Sequence, residues 1–178
     1  MSRSPIEQSE ADEVMAQGLE LKIPPLVWAA ACAGLMKAVS VWLPQYSIHL
    51  PFARAFSPTL VGLGLSVAVA GVQAMRRAQT TVNPMHPEST TSVVDGGIYG
   101  VTRNPMYVGM LLTLVGWAVL LQNVVAFGVV GLWAAVITQF QIRPEERILE
   151  ERFGEAYLDY RRRVPRWLFR LTEEDQTL

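Results

Sequence analysis

Four runs of apolar side chains dominate the pattern along the chain. They cover residues 25–44, 56–75, 106–121 and 124–140. A helix rises about 1.5 Å per residue and a bilayer core is about 30 Å thick, so we predict about four transmembrane helices in an all-α polytopic membrane protein. Only Gln122 and Asn123 separate the last two runs, which are slightly short. This spacing predicts a tight helical hairpin with its turn in the interfacial zone.

A lysine in the first apolar run and small residues in the second add detail to the predicted helices. Lys37 lies in the first run, close enough to its far end for the ammonium group to reach the interface. The second run is uncharged, and Gly62, Gly64, Ser66 and Gly71 favour close packing against a neighbouring helix. A dinucleotide-binding loop needs a strand, a turn and a helix around its glycines, so this apolar run excludes one.

The composition agrees with a membrane protein, because 51% of the residues are hydrophobic and 17% are charged. Fifteen basic and sixteen acidic residues leave no basic excess, so we expect no nucleic-acid partner. The single cysteine, Cys32, excludes an intramolecular disulfide and is expected to be a small buried hydrophobe. His49 and His86 fall in loops on opposite predicted sides, so we expect no metal site.

The arginines of the loops predict the orientation. Arg76, Arg77 and Arg103 lie between the second and third spans, and most other arginines follow residue 140, whereas the loop at 45–55 carries only Arg54. Basic loops favour the cytoplasmic side, so we expect both termini in the cytoplasm.

The chain divides into a tail and one membrane domain. Residues 1–22 are acidic and lack a basic region leading into an apolar core, so we interpret them as a mobile tail or a short surface helix rather than a signal peptide. Residues 23–178 are expected to form the membrane domain.

An amphipathic helical segment is predicted after the fourth span. Pro144 favours a helix start, and Glu145 and Glu146 suit the positive end of the helix dipole. An apolar and aromatic stripe follows at helical spacing, made of Leu149, Phe153, Tyr157, Tyr160 and Val164. The simplest structural interpretation is a helix at the membrane surface whose basic residues face anionic lipid headgroups, namely Arg161, Arg162 and Arg163.

Two polar clusters flank the predicted hairpin. Residues 93–107, which read VVDGGIYGVTRNPMY, precede it, and residues 143–147, which read RPEER, follow it. If the chain turns back at Gln122 and Asn123, both clusters reach the same membrane face, where they can enclose a bound molecule. Asn104 and Pro105 also suit the N-cap and the first turn of the third helix.

The two clusters resemble a known family. GIYGVTRNPMYVG at 97–109, then a hairpin, then EERILEERFGEAYLDY at 145–160 are together similar to the isoprenylcysteine carboxyl methyltransferase family, which is related to the membrane phospholipid methyltransferases. The resemblance covers about residues 78–167, including the lead-in TTVNP at 80–84. It does not reach the first helix or the acidic tail.

The resemblance implies a methyltransferase that uses S-adenosylmethionine and releases S-adenosylhomocysteine. It implies a cofactor held outside the bilayer core by the segments on either side of the hairpin, and a bacterial inner membrane as the location. Many members have histidine where this chain has Asn104. Asparagine does not titrate near neutral pH, so we expect it to orient the cofactor rather than transfer a proton.

The chemistry of methyl transfer suggests roles for the polar residues. Transfer from a sulfonium needs alignment and exclusion of water rather than a catalytic triad. A carboxylate at Glu145 or Glu146 suits the cofactor's ammonium or ribose hydroxyls, and the Arg103 guanidinium suits its carboxylate. Tyrosines suit adenine or the sulfonium, and glycines allow close backbone approach. The predicted cofactor-binding residues are Val94, Gly96, Gly97, Tyr99, Arg103, Asn104, Pro105, Tyr107, Glu145, Glu146, Tyr157 and Tyr160, with Arg103, Asn104 and Glu146 expected to be catalytic.

Alternatives remain open for these residues. Tyr99 and Tyr107 also suit interfacial anchors, and Arg103 and Glu146 also suit an ion pair that closes the base of the hairpin. The acceptor is expected to be amphipathic or lipid-like and to carry a carboxylate, a thiol or an amine. The rival function is a non-catalytic four-helix membrane scaffold or assembly subunit.

Overall fold

The computed structural model describes residues 20–83 and 85–168. Most of the predicted tail at 1–22, and Pro84 of the lead-in, lie outside the described residues. Within them the chain is helical and has no strand, only an isolated bridge between Ser47 and Asn123. We number the described α-helices α1 Pro25–Trp42, α2 Ala53–Arg77, α3 Pro105–Leu121, α4 Val124–Ile137, α5 Arg143–Phe153 and α6 Glu155–Arg163.

Three to four helices of the described chain are candidates to span a membrane. By length and composition, α1, α2 and the continuous helix Val124–Phe153, which combines α4 and α5, are sufficient. Helix α3 is apolar but shorter, with 17 residues. The four predicted runs therefore correspond to helices, of which three reach spanning length.

A π-helical turn, Thr138–Ile142, joins α4 to α5. We expected the fourth span to end near residue 140 and a new helix to start at Pro144, with Glu145 and Glu146 in its first turn. The start of α5 is confirmed within one residue, with Glu145 and Glu146 in its first turn. The expected break after the fourth span is wrong, because the helix continues through the π turn. Pro144 has no N–H to offer the carbonyl of Phe140 four residues earlier, and the N–H of Leu21 bonds to that carbonyl instead, at 3.1 Å.

The segment before α1 is attached to this π turn. The side-chain amide of the fully buried Gln141 donates a hydrogen bond to the carbonyl of Ile23, at 2.9 Å. Arg147, which follows on α5, pairs with Glu20 at 2.7 Å. These bonds satisfy backbone carbonyls and fix the point where the membrane helix continues into α5.

The opposite end of the bundle is closed by hydrogen bonds between two loops. Gln122 has a left-handed conformation with φ of 50°, and its carbonyl accepts from the N–H of Ile48 at 2.8 Å. Asn123 caps α4 by accepting from the N–H of Val125 at 2.9 Å and donates to the carbonyl of Leu43 at 3.0 Å. The α3–α4 turn and the α1–α2 loop therefore lie at the same end.

Helices α2 and α3 approach each other closely through glycine. A Cβ added to Gly64 would lie 2.5 Å from the carbonyl oxygen of Gly109, and a Cβ added to Gly109 would lie 2.5 Å from that of Gly64. Gly71 similarly faces Pro105, whereas a Cβ on Gly62 would meet nothing within 4 Å. The predicted packing surface is therefore present at Gly64 and Gly71 but does not include Gly62.

Alanine at Gly109 is expected to destabilise the fold by about 1–3 kcal/mol, because its methyl group would collide with backbone that cannot rotate away. Thermal unfolding in detergent measures the effect. Gly62→Ala is the matched control and should be neutral or slightly stabilising, because alanine is the better helix former. Equal effects of the two substitutions would contradict the close approach of α2 and α3.

Candidate active site

A cavity of about 80 Å³ lies between the two polar clusters, at the end of the bundle opposite the Gln122–Asn123 turn. The loop before α3 and the first turn of α3 form one wall, and α5 with α6 forms the other. The lining residues are Met75, Thr90, Ser92, Val93, Val94, Tyr99, Arg103, Asn104, Pro105, Met106, Tyr107, Glu145, Glu146, Leu149, Tyr157 and Tyr160. The structure thus brings the two clusters together around one space.

All but two of the predicted cofactor-binding residues line this cavity. The exceptions are Gly96 and Gly97, which are exposed and absent from its wall. A Cβ at either glycine would meet nothing within 4 Å, so close packing does not explain them. Gly97 has a φ of 60°, and this left-handed conformation, at the start of a 3-10 turn, is the reason for glycine there.

Tyrosine side chains form the aromatic part of the site. The hydroxyl of Tyr160 donates a hydrogen bond to the carbonyl of Tyr99 at 2.9 Å, and the rings of Tyr157 and Tyr160 meet edge to face. These three tyrosines pack with Val164 in one buried cluster. Tyr99 and Tyr107 are each 3% exposed, so both are packed inside the protein rather than displayed at its surface.

The predicted single amphipathic helix is broken. Gly154, with φ of 52°, separates α5 from α6, because a left-handed residue cannot continue a right-handed helix. The apolar stripe nevertheless stays on one side. Its residues Leu149 and Phe153 from α5 and Tyr157 from α6 pack against the same cluster.

Burial keeps the site's phenols neutral. Loss of water contact raises the pKa of Tyr99 well above its usual value, and the negative charge of Glu145 raises it further. Burial likewise raises the pKa values of Tyr157 and Tyr160. Among the described residues, the buried hydroxyl of Tyr99 has no hydrogen-bond partner. An unsatisfied buried hydroxyl in a cavity wall is suited to a ligand's polar atom.

Glu146 is held between two arginines. Nη2 of Arg166 lies 2.7 Å from Oε2 of Glu146, and Nε of Arg166 donates to Oε1 at 3.1 Å. Nη1 of Arg103 lies 3.3 Å from Oε1 of the same carboxylate. The side chains of Arg103 and Glu146 are 2% and 9% exposed. The ion pair that we considered as an alternative for these two residues therefore exists, and it lies in the cavity wall.

Glu145 lines the same cavity. Its carboxylate accepts a short hydrogen bond from the hydroxyl of Tyr107. The two adjacent glutamates thus have different partners, a phenol for Glu145 and guanidinium groups for Glu146.

Asn104 has a structural partner. Its side-chain amide donates to the carbonyl of Arg166 at 3.0 Å, and the hydroxyl of Thr102 donates to the same carbonyl at 2.9 Å. The N–H of Arg103 bonds to the carbonyl of Pro165 at 2.9 Å. Asn104 occupies the N-cap position of α3 and Pro105 its first turn, as predicted, but the side chain of Asn104 makes no capping bond. The asparagine instead fixes the segment 164–167, which we call the closing segment.

The arginines at the end of α6 do not share one role. Arg161 is 8% exposed and pairs with Glu150 at 2.8 Å, so the prediction that it faces lipid headgroups is wrong. Arg163 pairs with Asp95, at 3.0 Å, in the loop before α3. The two pairs hold α6 against α5 and against the first polar cluster.

A second, more open cavity of about 570 Å³ adjoins the first. Its lining is charged throughout and consists of Arg143, Glu146, Arg147, Glu150, Glu151, Arg161 and Arg166. Glu146 lines both the first and the second cavity, so its ion pair with Arg166 lies between the two cavities. Sequence reasoning missed this cavity and Arg166, because an arginine beyond the end of a basic helix carries no local signal of burial.

Comparisons with known proteins agree with the resemblance. The chain is 32% identical over 113 residues to protein-S-isoprenylcysteine O-methyltransferase B of Arabidopsis thaliana. This alignment covers 62% of this chain and 56% of the plant protein. It is 37% identical over 76 residues to protein-S-isoprenylcysteine O-methyltransferase of Mus musculus. This alignment covers 43% of this chain and 27% of the mouse protein. An uncharacterized protein of Haemophilus influenzae is 44% identical over 63 residues, which is 35% of this chain and all of that protein.

This chain therefore spans about half or less of the two methyltransferases that it matches. No solved structure matches it. The family model for phospholipid methyltransferase matches residues 52–156, which include α2 to α5 and most residues of the first cavity. From a match over more than half of its length, we conclude that this chain belongs to the phospholipid methyltransferase family.

Proposed function

We propose that this protein transfers a methyl group from S-adenosylmethionine to an amphipathic or lipid-like acceptor at the cytoplasmic membrane face. The observation that carries the proposal is the first cavity, where aromatic rings, two carboxylates and a buried arginine from distant parts of the chain converge. A pocket with few convergent polar groups is typical of small-molecule sites. The names of the relatives, both methyltransferases acting on isoprenylcysteine, support the reaction class.

The residues present fit this cofactor by their chemistry. The rings of Tyr99, Tyr157 and Tyr160 offer faces and edges to adenine, and the Tyr99 hydroxyl offers a hydrogen bond. The carboxylate of Glu145 offers an acceptor for ribose hydroxyls, and the Arg103–Glu146–Arg166 group offers charges of both signs for an amino-acid end. The cofactor supplies a methyl group on a cationic sulfur, which leaves as a neutral thioether.

The chain's own contribution is alignment and exclusion of water. The closing segment is bonded to Thr102, Arg103 and Asn104, and its Arg166 lines the second cavity. Asn104 therefore has two proposed roles toward a ligand. It lines the first cavity, and it holds the backbone of Arg166 in place. Displacement at a methyl group is sensitive to the distance and angle between the reacting atoms, so a rigid, dry enclosure accelerates it.

The acceptor class follows from the surroundings of the site. The site lies where apolar helices end, so an acceptor with an apolar body can reach it sideways from the bilayer. Its reacting group is proposed as a carboxylate, a thiol or an amine. The arginines near the site favour the cytoplasmic face by the positive-inside rule, in a bacterial inner membrane with both termini cytoplasmic.

Calorimetric titration of the purified protein with S-adenosylhomocysteine tests the proposal. We expect saturable binding and thermal stabilisation, which amounts to about 2.7 kcal/mol when the free ligand is at a hundred times its Kd. Adenosine monophosphate, which shares adenine and ribose but lacks the thioether and the amino acid, is the control and should bind more weakly. Neither heat nor a thermal shift with S-adenosylhomocysteine, in a detergent that keeps the protein monodisperse, would favour the non-catalytic scaffold.

A further inference from the structure

The two cavities differ sharply in the chemistry of their walls. The first contains aromatic and apolar side chains with a few polar groups, whereas the second is lined by arginine and glutamate alone. A flat aromatic ring is stabilised in the first environment, and a zwitterion in the second. S-adenosylmethionine has both kinds of end.

The volumes of the two cavities indicate that a ligand of cofactor size would occupy both of them. The first cavity holds about 80 Å³, far below the roughly 300–1,000 Å³ of ligand pockets. The second holds about 570 Å³ and shares Glu146 with the first. The space beyond Glu146, beside Arg166, therefore supplies the room that a ligand of cofactor size lacks in the first cavity.

Arg166 is placed to receive the far end of such a ligand. Its side chain is 16% exposed and lines the second cavity, whereas the side chain of Arg103 is 2% exposed and lines the first. The backbone carbonyl of Arg166 accepts hydrogen bonds from Thr102 and Asn104, so the residue is fixed at its backbone. Only its guanidinium group has to adjust.

We infer that the amino-acid end of the cofactor inserts into the Glu146–Arg166 ion pair, with Arg166 binding the cofactor's carboxylate and Glu146 its ammonium group. This inference rests on the proposed function. Insertion replaces one ion pair by two and adds a ligand end of zero net charge, so every buried charge keeps an opposite partner. The planar fork of arginine matches a carboxylate with two parallel hydrogen bonds. Arg166 is thus a cofactor-binding residue outside the span matched by the family model.

Two ligands that differ in the amino-acid end test this assignment. S-adenosylhomocysteine carries that end, and 5′-methylthioadenosine has the same adenosine and thioether without it. In the Arg166→Gln protein, we expect affinity for S-adenosylhomocysteine to fall by about tenfold to a hundredfold, the usual effect of losing charge-assisted hydrogen bonds. Affinity for 5′-methylthioadenosine should change less than about threefold. Calorimetric titration measures both.

Arg166→Lys should give a smaller loss that is again confined to S-adenosylhomocysteine, because lysine keeps the charge but not the fork. Arg162→Gln is the matched control, since Arg162 is exposed and lines neither cavity. Equal losses for both ligands in the Gln and Lys variants, or no loss for either ligand, would overturn the role of Arg166. Failure of the unmodified protein to bind either ligand would instead overturn the proposed function.

Discussion

Alanine in place of Glu146 is expected to lower the free energy of unfolding by about 3–5 kcal/mol, because removing one partner of a buried ion pair leaves the other charge uncompensated. Here the substitution would remove the carboxylate that pairs with two arginines. Arg166 lies 2.7 Å and Arg103 3.3 Å from the same carboxylate, and all three side chains are largely shielded from water. The substitution should also abolish measurable binding of S-adenosylhomocysteine.

Denaturant titration in detergent measures the loss of stability, and calorimetry measures the loss of binding. Glu151→Ala is the matched control, because Glu151 is on the same helix and lines the second cavity but is exposed. It should stay within about 0.5 kcal/mol of the unmodified protein. A stability loss for Glu146→Ala no larger than that of Glu151→Ala would show that the arginines are compensated without Glu146.

Deletion of both Thr138 and Gln139 is expected to abolish cofactor binding while the helical content is retained. The π turn contains one residue more than the α-helix that would replace it, so loss of the first residue gives a regular helix and leaves α5 in its register. Loss of the second residue turns α5 by about 100° relative to α4. Glu145 and Glu146 would then point away from the cavity that they line now.

Circular dichroism checks the helical content of the deletion variant, and titration with S-adenosylhomocysteine checks the site. Gln139→Ala is the matched control, since it keeps the chain length and changes only an exposed side chain that bonds to Arg143. Its affinity should be unchanged within about twofold. An affinity of the double-deletion variant within about threefold of the unmodified protein would mean that the helical register between α4 and α5 does not set the orientation of the two glutamates.

The helices could be predicted from the sequence because they depend on composition over many residues. Each of the four apolar runs is a helix, with ends within a few residues of the predicted ones. The π turn and the break at Gly154 could not be predicted in the same way. The apolar stripe continues across Gly154 at helical spacing, and nothing in residues 138–142 distinguishes a π turn from an α-helix. The π turn depends on a tertiary partner, the N–H of Leu21 for the carbonyl of Phe140. The break depends on the positive φ of Gly154, which the stripe does not reveal.

Most of the candidate site was predictable because both of its walls are polar segments next to apolar runs. Tyr99, Arg103 and Glu146 stand out in such segments, and the cavity contains them. Arg166 did not stand out, because its segment lacks a periodic pattern and follows a helix rich in exposed arginines. Asn104 was expected to face the cofactor, but the partner of its side-chain amide, the carbonyl of Arg166, lies 62 residues away and only the fold reveals it.

The closing segment has a consequence for biosynthesis. The ribosome makes Arg166 62 residues after Asn104 and 64 residues after Thr102, when the apolar helices have already been translated. The apolar helices are therefore complete before the closing segment exists. A premature stop codon shortly before Val164 would leave all four apolar helices but remove the segment that bonds to Thr102, Arg103 and Asn104.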